Sequence, residues 1–204
     1  MVSCVTKVFS LACLVMALFT SAASATPNEK VLAEFGKSRP PIGYVFFCKR
    51  GADECKEADG KTERLVLNTE NWNDINQVNT FVNSSIQPAS DIDLYHTTEY
   101  WAYPTTAGDC EDYVLLKKRL LVKLGFNPDE LLITVLLDEH GEGHAVLSIL
   151  TKDADLILDN RRNEILTANQ TNYKFLKRQS QHDPKQWVSL RKTDAQVIVS
   201  SQGN

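Results

Sequence analysis

The sequence has no surplus of basic residues. Its 22 Lys and Arg stand against 26 Asp and Glu, a formal net charge of −4. No basic stripe runs along the chain, and that balance argues against a nucleic-acid partner. Beyond residue 25 there is no long apolar run either, so nothing after the N-terminus reads as a membrane-spanning helix. It also lacks internal repeats and low-complexity segments. What remains, 43% hydrophobic and 24% charged, is the composition of an ordinary globular protein.

The N-terminus differs from the rest. Lys7 is followed by an apolar run from Val8 to Phe19 and then by Ala23-Ser24-Ala25. A basic residue, a short apolar stretch and a small-x-small site make a secretory signal peptide. The run falls short of the ~20 residues that a spanning helix needs. Cleavage after Ala25 leaves residues 26–204 as one domain.

Cysteine is scarce, 5 in 204 residues, and Cys4 and Cys13 leave with the signal. Cys48, Cys55 and Cys110 remain, an odd number for an oxidising compartment. Cys48 and Cys55 share a polar, Gly-containing loop, "CKRGADEC". A short-loop disulfide is the economical reading. A two-thiolate share of a metal site is the other, weakened by the absence of a nearby His. Cys110 is then the free thiol.

Residues 26–42 carry Pro27, Pro40 and Pro41 and read as a loose lead-in, and 43–47, "GYVFF", as a short strand. Residues 69–86 read as a helix. Thr69 is an N-cap, Trp72, Ile75, Val78, Val82 and Ile86 recur at helical steps, and Pro88 stops the run. Residues 89–108 read as a surface segment anchored by Tyr95, Tyr100, Trp101 and Tyr103. A second helix follows Asp109, an N-cap type with Asp112 three residues on. Tyr113, Leu116, Leu120 and Leu124 lie on its face and Gly125 ends it. "LLITVLLD", "HAVLSIL" and "ADLILDN" then read as an antiparallel meander. Helix first and sheet second gives the α+β class.

On this scheme Cys110 opens a helix, His144 opens a strand and Asp159 ends the next one. Neighbouring antiparallel strands place His144 beside Asp159. A helix packed with its N-terminus at that edge brings Cys110 to His144. Nucleophile, base and orienting acid would then stand together. A helix N-terminus favours a thiolate, and the Cys110 backbone N–H suits an oxyanion. Taken alone, the residues also allow blander readings: Cys110 as a small buried hydrophobe, His144 as a strand residue, Asp159 as part of a turn.

"WAYP", "GDCEDY", "HAVL" and "LILDN", in that order, resemble the bacterial transglutaminase-like cysteine peptidases from about Pro41 to Trp187. The resemblance implies a papain-like α+β fold with Cys110 as nucleophile, His144 as base and Asp159 as orienting acid. It also implies a periplasmic protease that trims large surface adhesins. Such proteases need calcium and can be sequestered by a membrane receptor. By the same match, Asp109 and Glu111 are calcium ligands. Trp101 is either a wall of the substrate cleft or a core residue. Hydrolysis and transamidation begin with the same thioester, and a binding module with a relict triad is a third reading.

Overall fold

The computed structural model describes Met1 and residues 30–56 and 63–192. The expected signal peptide, Met1 apart, lies outside them. No helix among the described residues is long and apolar enough to cross a membrane.

The expected strand at 43–47 is instead part of a helix, α1 (Ile42–Lys49), which starts directly after Pro41. Tyr44 and Phe47 are both buried. Three residues apart, they share a helix face, whereas a strand would send them to opposite sides. Cys48, on the last turn of α1, is disulfide-bonded to Cys55 in the next short turn. Upstream, the lead-in contributes a short strand, β1 (Lys37–Ser38).

α2 (Thr69–Ser85) begins as expected, but its cap is Asn68 rather than Thr69. Asn68 and Asn71 each accept the other's backbone N–H at 2.9 Å. β2 (Gln87–Pro88) pairs in parallel with β3 (Ala107–Gly108). The intervening segment, expected to be irregular, includes a short helix, α3 (Asp91–Tyr95). Ser90 caps it by accepting the N–H of Asp93 at 3.3 Å.

α4 (Cys110–Lys123) lies between α2 and the sheet. It is therefore buried on more than the expected stripe. Val114, Leu115 and Leu121 are fully covered, while Leu124 is 56% exposed.

The meander forms as expected, with β4 (Leu131–Leu137), β5 (Gly143–Leu150) and β6 (Asp155–Leu158) paired antiparallel in sequence order. It is the middle of a larger sheet. β7 (Leu166–Thr167) extends it beyond β6, and β8 (Lys174–Gln179), β9 (Trp187–Ser189) and β1 extend it beyond β4. Along β5, Ala145, Leu147 and Ile149 join the core shared with α2 and α4. Val146 points the other way, into a second cluster with Leu136, Ile157, Ala168 and Tyr173. The fold is α+β, with helices packed on an antiparallel sheet.

Candidate active site

Two glycines allow close approaches near the cleft. Gly43 in α1 lies against the indole of Trp101, where an added Cβ would stand 2.3 Å from Cδ1. Gly108 lies against Asp112 in the same way, at 2.7 Å from Oδ2. Asp112 does not complete a capping box. It folds back over Gly108, and its Oδ1 accepts the N–H of Ala102 at 2.8 Å. That bond ties "WAYP" to the start of α4, which gives a physical reason for the two motifs to occur together.

Asp109 holds the N-cap position with an extended backbone, but its side chain makes no capping bond. Cys110, the first residue of α4, is the free thiol among the described residues. It lines a cleft with Trp101, Glu99, Val135, Gly143, His144 and Lys177. Trp101 is both wall and core: only 3% of it is exposed, and its ring meets Tyr44 edge-on at 5.5 Å.

His144 and Asp159 come together. His144 Nε2 lies 3.0 Å from Asp159 Oδ1, and both side chains are buried. The backbone N–H of Arg161 donates to the same oxygen at 3.0 Å. Burial acts to raise the Asp159 pKa. The hydrogen bonds from His144, Tyr173 and the Arg161 N–H outweigh that and hold the carboxyl well below its usual range. An ionised carboxylate can only accept, so Nε2 carries the proton. Nδ1 is buried without a hydrogen-bond partner.

The acids around the thiol form a cluster. Oxygens of Asp91, Asp109 and Glu111 lie within 4.8 Å of one another. The Cys110 S–H donates to Glu111 Oε2 at 3.2 Å. Burial, then the Glu111 charge and hydrogen bond, push the thiol pKa well up, against a lowering hydrogen bond from the Ala145 backbone. Burial and the Asp109 charge raise Glu111 to about 9. Burial raises Asp109 as well. It also raises Asp112, to about 7, despite the bond from Ala102.

Asp91 Oδ1 and Asp109 Oδ1 are buried with no hydrogen-bond partner. An all-oxygen, acidic donor set with orphaned buried oxygens fits a hard divalent cation. Asp91 was not legible as a member of this set, since it sits on α3 in a stretch that reads as a surface loop. The Ser90 N-cap just before it was the available signal.

A helix that opens on a thiol, packed on an antiparallel sheet and sharing a cleft with a His–Asp pair, fits the papain-like and transglutaminase-like fold class. The chain belongs to the bacterial transglutaminase-like cysteine proteinase family, a family of cysteine peptidases, whose model matches residues 34–195.

Among solved structures it is similar to Legionella pneumophila LapG, over 64% of this chain and 76% of that one, at 25% identity and a TM-score of 0.51. The calcium-bound form of LapG matches over 63% of this chain and 80% of that one, at 26% identity and a TM-score of 0.50. The EGTA-treated form matches over 53% and 62%, at 29% identity and a TM-score of 0.47. In that last match the chain spans less than two thirds of the LapG chain. None of the curated protein sequences matches the chain.

Proposed function

We propose that the chain is an exported cysteine endopeptidase that cleaves a protein substrate through a thioester on Cys110. One observation carries the reading. His144 borders the cleft that Cys110 lines, its Nε2 is fixed on Asp159, and its Nδ1 is left without a partner.

In this reading Nδ1 takes the Cys110 proton and the thiolate attacks the scissile carbonyl carbon. The oxyanion accepts from the backbone N–H of Cys110, one of the unpaired amides at the start of α4. The C–N bond then breaks, and His144 gives its proton to the leaving amine. His144 next deprotonates a water, which attacks the thioester carbonyl; the C–S bond breaks, the carboxylic acid product leaves, and His144 returns its proton to the Cys110 thiolate. Asp159 holds the imidazole tautomer and supports the imidazolium throughout. Trp101 walls the cleft.

Asp91, Asp109 and Glu111 would hold a calcium ion. Its charge would offset the carboxylates that oppose ionisation of Cys110. The expected signal peptide supports a periplasmic location, and the family resemblance supports a large surface adhesin as substrate and a sequestering membrane receptor as partner.

The test is digestion of a peptide library by the calcium-loaded protein. Cleavage should be lost in Cys110→Ala and His144→Ala, with the far-ultraviolet circular dichroism unchanged. A folded Cys110→Ala that still cleaves would overturn the proposal.

A further inference from the structure

The Asp159 carboxylate is held from a second side. Tyr173 lies just before β8, with its ring in the cluster on the sheet face away from α4. Its O–H donates to Asp159 Oδ2 at 2.5 Å, and its ring stands edge-on to that of His144 at 6.1 Å. Arg162 completes the arrangement. Its Nη2 donates to Tyr173 Oη at 3.2 Å, and its Nε lies 3.8 Å from Asp159 Oδ2. We propose that Tyr173, backed by Arg162, is a positioning residue that fixes the Asp159 carboxylate and, through it, the direction in which His144 presents Nδ1 to Cys110. This rests on the reading of Cys110, His144 and Asp159 as a catalytic set.

Oδ1 already accepts from His144 Nε2 and from the Arg161 N–H. Turning the carboxylate about its last bond would swing Oδ1 away from both donors, so these contacts resist rotation, but at one of its two oxygens alone. A donor on Oδ2 adds resistance at the other oxygen, so that both are pinned. The imidazole is aimed by Oδ1, so what stops the carboxylate from turning also stops the ring from turning. Tyr173 suits the task because its hydroxyl stays protonated: burial, and then the neighbouring Asp159, raise its pKa. Arg162 reaches the pair from the rim, with its side chain 34% exposed. It orients the Tyr173 hydroxyl by occupying one of that oxygen's lone pairs.

A purely structural Tyr173 would need only its ring, which Phe retains. The experiment therefore compares wild type, Tyr173→Phe, Asp159→Asn and the double variant, all calcium-loaded. One readout is the resonance of the His144 Nε2–H in protein with ¹⁵N-labelled histidine. The other is the rate at which iodoacetamide alkylates Cys110. Tyr173→Phe should move the Nε2–H resonance, because Asp159 then has one donor fewer. It should also slow alkylation about tenfold, which converts to ~1.4 kcal/mol, near the low end for a hydrogen bond to a charged group.

In the Asp159→Asn background, Tyr173→Phe should add less than about twofold, as expected for residues that act in series. Arg162→Gln should move the same resonance in the same direction by a smaller amount, and it serves as the test if Tyr173→Phe does not fold. An unmoved resonance with an unchanged alkylation rate overturns the proposal. So does full additivity of Tyr173→Phe with Asp159→Asn. A resonance that moves, in a protein whose wild-type Cys110 reacts no faster than free cysteine, leaves the positioning role standing and refutes the peptidase reading instead.

Discussion

Glu111→Gln should stabilise the metal-free protein at neutral pH and destabilise the calcium-loaded one. Without a cation, Glu111 is a buried carboxylate beside Asp109 and the Cys110 thiol, with its pKa raised from 4.5 to about 9. A raised carboxyl favours folding while it stays protonated. Its contribution is full below pH 4.5 and is lost as the pH rises towards 9, because the unfolded chain ionises first. At pH 7.5 the interval from the unfolded value spans ~3 pH units, which is ~4 kcal/mol at 1.36 kcal/mol per unit. Asp109 titrates jointly with Glu111, so the figure belongs to the pair.

Gln carries no charge and should escape the penalty. For a chain of this length ~4 kcal/mol corresponds to roughly 8–16 °C in melting temperature. The assay is thermal unfolding of wild type and Glu111→Gln at pH 5 and pH 7.5, in chelator and in calcium. In chelator the variant should melt well above wild type at pH 7.5 and within a few degrees of it at pH 5. In calcium the order should reverse, because a ligand has been lost. Chelated wild type that melts at the same temperature at both pH values would refute the electrostatic argument. A variant destabilised in calcium and chelator alike would refute the idea that the cluster exists to hold an ion.

Two further outcomes follow from the packing. Gly43→Ala places a Cβ 2.3 Å from Trp101 Cδ1, so the indole must move. Overpacking of this kind costs ~1–3 kcal/mol, and cleavage should fall further than the melting temperature suggests because the cleft wall shifts, which parallel melting and activity assays would show. Replacing Cys48 and Cys55 together by Ser opens the loop closed by residues 7 apart in sequence. That should remove about 2.5 kcal/mol in urea unfolding, while Cys110 labelling in the folded protein stays unchanged.

The parts of the fold that can be read from sequence are those where local pattern and tertiary packing agree. α4 shows its N-cap type, its apolar face and its terminal glycine. The β4–β5–β6 meander shows apolar runs separated by turn residues, and the side-by-side placement of His144 and Asp159 follows from that topology. α1 misleads because "GYVFF" is short, aromatic and apolar throughout, so its period is invisible until Tyr44 and Phe47 are seen on one face. β8 is "KFLKRQ", a polar strand between β9 and β4 in the sheet, and its partner β4 lies well over thirty residues earlier. With β8 went Tyr173. Asp91 and Tyr100 reach the site through a backbone N–H bond within a stretch that carries no period. Asp109 looks like an ordinary cap, and only the structure shows that its carboxylate turns towards Asp91 and Glu111 instead.

Acid quenching of the calcium-loaded protein during turnover of a cleaved library peptide, followed by intact mass and peptide mapping, tests the central claim most directly. The account predicts a transient adduct on Cys110 with the mass of the N-terminal half of the peptide. That adduct should be absent from Cys110→Ala and decay as the free half-peptide appears. Cleavage without any adduct on Cys110, or with an adduct on another residue, would contradict it.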